Sequence, residues 1–202
     1  MKIFCIGRNY APHAKELGND IPEEPVIFLK PETALLRIGQ PFFIPTFSKD
    51  IHYEAEVVVR ICKTGKGISK KFAHRYYDQI TVGIDFTARD IQKSLKDKGL
   101  PWEISKGFDN AAGIGKWIHL GDNEIQNIDF SLDINGQTVQ SGNTSAMIFS
   151  VDEIISYISQ FYTLKIGDIV YTGTPAGVGK INNGDTLTGS ISQTKLLEIK
   201  VK

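Results

Sequence analysis

Residues 53–61 read YEAEVVVRI, and a β-branched run of this kind packs as a strand covered on both faces. Glu54 and Glu56 lie two apart within it, so on a strand they share one face with Val58, while Ala55, Val57 and Val59 share the other. An isolated E-x-E is most often a solvated face. Flanked by apolar residues on both sides, the pair instead needs a counter-charge or a bound cation, because an ionised carboxylate is costly away from water.

Strand signals recur along the chain: KIFCI at the start, PVIFLK at 25–30, QITVGIDF at 79–86, and GDIVYTG, GDTLTGSI and KLLEIKV towards the end. Asn135-Gly136 separates the alternating runs NIDFSLDI and QTVQS, and both positions suit the positive φ of a tight hairpin turn. Helix signals are fewer. Thr87-Ala88-Arg89-Asp90 resembles a capping box opening a helix that Gly99 ends, and Ser150-Val151-Asp152-Glu153 opens another with Ile154, Ile155 and Ile158 on one face. A third short helix is expected from Ala11 to Leu17, with Pro12 in its first turn. Strands that outnumber helices without alternating with them predict an α+β, strand-rich fold with a mixed or antiparallel sheet.

The 202 residues suit a single domain, and a hydrophobic content of 41% is enough for a sizeable core. Lys plus Arg and Asp plus Glu are both 23, so no net field favours nucleic acid or a membrane surface as partner. Cys5 and Cys62 form no CxxC pair, which excludes a cysteine zinc site and fits a reducing compartment. No run has signal-peptide or membrane-spanning length, so a cytoplasmic location is expected.

Asp85 closes the apolar run TVGID and supplies a third acid. Three carboxylates from two strands suit a hard divalent cation such as Mg²⁺, which leaves its other positions to water and substrate oxygens. The four histidines offer no HExxH pair, and His52 is read as a neighbour of the site or a structural residue. The glycine-rich TGTPAGVGKINNG loop is no Walker loop, since Val178 stands where the second glycine belongs and Ile181 follows Lys180.

The motifs GRNYAPHAKE (7–16), FLKP (28–31), HYEAEVVV (52–59), GIDFTARDIQ (83–92), GLPWEISKGFD (99–109), SAMIFS (145–150) and GDIVYTGTPAGVG (167–179) together resemble the fumarylacetoacetate hydrolase family. The resemblance spans nearly the whole chain and is nearest to small members acting on acylpyruvates or oxaloacetate, which lack the extra N-terminal domain of the larger ones. It implies a mixed β-roll or sandwich with a few short helices, one catalytic domain over 1–202, and a homodimer. Residues 1–24 would include a lid.

The resemblance further implies that Glu54, Glu56 and Asp85 bind Mg²⁺, with Mn²⁺ or Ca²⁺ as alternatives. His13 and Glu16, three apart on one helical face, become a water-activating pair on the lid. Lys106 is expected to stabilise negative charge on the substrate, from a strand in which Ile104 and Phe108 alternate with it. Gly107 after it is smaller than the residue usual in relatives. Arg8, Arg89, Gln92 and Thr174 are the substrate-binding candidates, Arg89 being equally well explained as a structural ion pair. The implied reaction is hydrolysis of a C–C bond in acylpyruvates, decarboxylation of oxaloacetate, or both, through a pyruvate enolate held on the metal. Isomerisation, decarboxylation or hydration of dienoate acids of the 2-hydroxyhepta-2,4-diene-1,7-dioate type is the alternative within the family. A metal- or ligand-binding module without catalysis is the alternative outside it.

Overall fold

KIFCI and PVIFLK form the antiparallel pair β1 (Ile3–Gly7) and β2 (Val26–Lys30), and a short β3 (Leu35–Leu36) follows. The computed structural model describes residues 1–11, 21–121 and 125–202. The expected helix from Ala11 to Leu17 therefore lies, beyond Ala11, outside the described residues, as do His13 and Glu16. The acidic run divides at Glu54 into β4 (Ile51–Tyr53) and β5 (Ala55–Ile61). Next come β6 (Tyr77–Asp85), β7 (Thr87–Ala88), β8 (Ala112–Ile114) and β9 (Ile118–His119). The Asn-Gly hairpin is present as β10 (Asp129–Ile134) and β11 (Gln137–Asn143), with φ of 53° at Asn135 and 83° at Gly136. The chain ends with β12 (Ile169–Tyr171), β13 (Gly179–Lys180), β14 (Thr186–Ile191) and β15 (Thr194–Lys200).

These strands make three sheets. The largest runs β2-β1-β12-β5-β6-β8-β3, with β9 also on β6; it is mixed, because β1 pairs with β12 and β3 with β8 in parallel. An antiparallel sheet, β11-β10-β14-β15, packs over β6, and β13-β4-β7 forms a third. The expected strand-rich, mixed architecture is the one observed. Val57, Val58 and Val59 are fully buried, so β5 is covered on both faces. Its neighbours to either side are β12 and β6, which places Glu56 in the interior of the sheet rather than on an edge.

Among the described residues four α-helices lie around the sheets: α1 (Lys70–Ala73), α2 (Arg89–Asp97), α3 (Glu103–Lys106) and α4 (Val151–Phe161). The capping box of α4 forms as expected: Ser150 accepts from the Glu153 N–H, and Glu153 accepts from the Ser150 N–H. Val151, Ile154, Ile155 and Ile158 are its fully buried face. The box expected at Thr87 does not form. That helix begins at Arg89 without a side-chain cap, because Thr87 lies in β7 and its hydroxyl is taken by Lys106. The helix does end where Gly99 predicts, with φ +64° at the glycine. No described helix is long and apolar enough to cross a membrane.

Candidate active site

The pairing of β5 with β6 builds the centre of the site. Ala55 stands opposite Ile84 and Glu56 opposite Gly83, and the Asp85 N–H donates to the Glu54 carbonyl at 2.8 Å. Glu54, Glu56 and Asp85 thereby converge, each offering a carboxylate oxygen within 4.8 Å of the others. All three are buried, at 5%, 2% and 1% exposure, so the solvated-face reading of the E-x-E pair does not hold. Glu54 sits at the break between two strands, where the chain passes from the small sheet into the large one.

Three buried carboxylates this close require counter-charge. Lys106 supplies part of it: its Nζ donates to Glu54 Oε2 at 2.8 Å, Asp85 Oδ2 at 2.8 Å and Thr87 Oγ1 at 2.6 Å. Burial works against its ammonium, but Asp85 and Glu54 outweigh that effect and its pKa rises. The expected strand around Lys106 is instead the short helix α3. Ser105 closes the turn onto the Trp102 carbonyl at 2.7 Å, and Ile104 points to solvent, 66% exposed. Gly107 has an ordinary φ of −104°, but a Cβ there would stand 3.0 Å from both the Glu103 carbonyl and Pro31, so the smaller residue fits a crowded turn.

Lys30 was not anticipated. Fully buried at the end of β2, its Nζ lies 2.7 Å from Asp85 Oδ1 and donates to the Ala111 carbonyl at 3.0 Å and to the Lys106 carbonyl. It ties the acid to the turn that carries the other lysine. Its signal was a lysine closing the apolar run VIFL just before a proline. Arg89 donates to Glu54 Oε1 and to Gln92 Oε1, both at 2.6 Å, so the ion-pair reading of Arg89 is realised within the site. His52 is drawn away to Asp50, 3.1 Å from its Nε2.

Glu56 stands apart electrostatically. It accepts the Gly173 N–H at 2.6 Å, and among the described residues no lysine or arginine pairs with it. Burial, then Asp85 and Glu54, pushes its pKa well above the ordinary carboxylate range. Gly173 is required there: its φ is +105°, and a Cβ would come 2.6 Å from that of Asn9. The TGTP loop thus orients an acid of the cluster as well as presenting Thr174. Gln140, with no local sequence signal, positions both: it accepts from the Ala55 N–H at 2.9 Å and donates to Thr174 Oγ1 at 2.9 Å.

The acids form the floor of a pocket whose wall includes Arg8, Phe28, Arg89, Gln92, Trp102 and Thr174. All the substrate-binding candidates therefore reach one cavity. The donor set fits a divalent cation: three convergent carboxylates and, among the described residues, no cationic partner for one of them and no competing histidine or cysteine ligand.

The fumarylacetoacetate (FAA) hydrolase C-terminal family model matches residues 2–202. Oxaloacetate tautomerase YcgM of Escherichia coli is 42% identical over 93% of this chain and 86% of its own. The mitochondrial oxaloacetate decarboxylase of Dictyostelium discoideum is 44% identical over 95% of this chain and 88% of its own. Among solved structures, fumarylpyruvate hydrolase from Pseudomonas aeruginosa in complex with Mn²⁺ and pyruvate superimposes with a TM-score of 0.94, at 36% identity, covering 100% of this chain and 89% of that one.

Proposed function

Because this chain belongs to the fumarylacetoacetate hydrolase family, we propose that it is a divalent-metal-dependent enzyme of short 2-oxo acids, with oxaloacetate its favoured substrate and Mg²⁺ its working metal. The observation that carries this reading is the buried acid trio with Glu56 unpaired by any described cation. Glu54, Glu56 and Asp85 are the ligands we assign. A cation held there supplies Lewis acidity, drawing electron density from the 2-oxo group so that the neighbouring carbon gives up a proton or CO₂ more readily.

The chain's own groups do the rest. Lys106, fixed between Glu54 and Asp85, keeps a second positive charge beside the oxygen on which negative charge gathers. Arg89 holds Glu54 in place and, with Gln92, presents N–H donors to a carboxylate entering the pocket. Thr174, held by Gln140, offers its hydroxyl from the opposite loop. His13 and Glu16 are assigned the proton transfer. Phe28 and Trp102, 6.0 Å apart, form an apolar wall that limits water. The Mn²⁺- and pyruvate-bound fumarylpyruvate hydrolase structure favours a second reading at the same site, hydrolysis of acylpyruvates, with His13 and Glu16 activating water.

Purified protein with Mg²⁺ or Mn²⁺ should accelerate loss of the oxaloacetate enol absorbance, and EDTA should stop it. Coupled assay of pyruvate from oxaloacetate and from fumarylpyruvate separates tautomerisation, decarboxylation and hydrolysis. No metal-dependent turnover in any of the three assays would overturn the proposal.

A further inference from the structure

Helix α2 carries more of the pocket wall than the pair first singled out on it. Arg89, Gln92 and Lys96 stand at i, i+3 and i+7, on one helical face, and all three line the cavity. Lys96 is half-buried, with its Nζ 5.2 Å from the centre of the Trp102 ring. Trp102 leans on Phe28 at 6.0 Å, and Phe28 lies 5.3 Å from the Lys106 Nζ. An aromatic pair therefore separates two ammonium groups. One is buried among the acids; the other has no carboxylate partner among the described residues.

Arg8 lines the same cavity. Its backbone is in the left-handed region, φ +62°, unusual for a long side chain, and its Nε is buried without a hydrogen-bond partner among the described residues. Arg89 Nε is likewise without one. Lys106, Lys30 and Arg89 are absorbed by Glu54 and Asp85. Arg8 and Lys96 remain, both lining the cavity. Burial lowers the Lys96 pKa, and repulsion from Arg8, Arg89 and Lys106 lowers it further, so an anion at that point relieves a positive cluster.

We infer that Lys96, with Arg8, forms a subsite for the distal carboxylate of the substrate, making the pocket selective for dicarboxylic over monocarboxylic 2-oxo acids. The inference rests on the 2-oxo acid reading of the site. It assigns Lys96 a role in specificity and none in the bond-making step.

Lys96→Met and Lys96→Arg test it in the full-length, Mn²⁺-loaded protein. For tautomerisation of oxaloacetate, in which the distal carboxylate is retained, Lys96→Met should raise KM on the order of tenfold with kcat nearly unchanged, the loss expected for one charge-assisted contact made equally in ground and transition states. Lys96→Arg should restore most of it. Binding of 2-oxobutyrate, which carries a methyl group where oxaloacetate has its distal carboxylate, should be the same in wild type and Lys96→Met by titration calorimetry. A KM for oxaloacetate within about twofold of wild type, or equal weakening of both ligands, overturns the inference while leaving the function intact. A wild-type protein that neither turns over oxaloacetate nor binds 2-oxobutyrate sinks the 2-oxo acid reading, and this inference with it.

Discussion

Lys106 shows how one side chain can be legible in its chemistry and illegible in its setting. Its place beside the acids follows from the motif, but the alternation of Ile104 and Phe108 suggested a strand where a single helical turn stands. Alternation over five residues is satisfied by chance. What decides the geometry is the pull of Glu54 and Asp85, residues 52 and 21 positions away in sequence. Replacing Lys106 by Met leaves both buried carboxylates without their shared donor. Breaking a buried pair in this way costs about 3–5 kcal/mol, so chemical denaturation of the metal-free protein should show a drop of that size. Added Mn²⁺ should recover part of it, since a cation among the acids replaces the missing charge. Lys30 and Gln140 could not be read in advance for the same reason: each acts on groups far off in the chain.

Among the elements, α4 was readable because its determinants are local. The capping box, the acidic first turn and the isoleucine stripe all lie within nine residues. Ser150→Ala should therefore cost about 1 kcal/mol in thermal or urea unfolding. Glu153 adds a pH dependence with a definite sign. Its hydrogen bond to Lys70, then those to Ser150, lower its pKa to about 2 in the fold. The stabilisation is therefore complete above the ordinary glutamate range and is lost as pH falls towards 2. Glu153→Gln should flatten that part of the acid-unfolding profile, by less than about 1 kcal/mol because the pair is largely exposed. By contrast α2 starts one residue later than its apparent capping box places it, since the Thr87 hydroxyl serves Lys106 instead of the helix end. Local preference gave way to the site. The TGTP loop belongs to the same class: Gly173→Ala forces a Cβ against Asn9 and should displace the N–H that Glu56 accepts, weakening divalent-cation binding on the order of tenfold while α4 stays intact by circular dichroism.

For the molecule as a whole, hairpin pairings were visible in advance and the long-range ones were not. Asn135-Gly136 specifies β10 against β11, but nothing near β1 announces its parallel pairing with β12, which lies more than 160 residues on. That pairing brings the first and last thirds of the chain beside β5, and with them Asn9, the TGTP loop and the acids. The site is thus a product of topology, assembled from strands whose individual signals are ordinary. There, we propose, Glu54, Glu56 and Asp85 together hold one divalent cation. Titrating Mn²⁺ into wild type and Glu56→Gln, followed by electron paramagnetic resonance, tests this most directly. One site per chain is expected in wild type, displaced by excess Mg²⁺ and weakened at least tenfold by the substitution, with the variant's metal-free stability no lower than wild type's. Mn²⁺ binding of equal strength in the two proteins, or none in wild type, would contradict it.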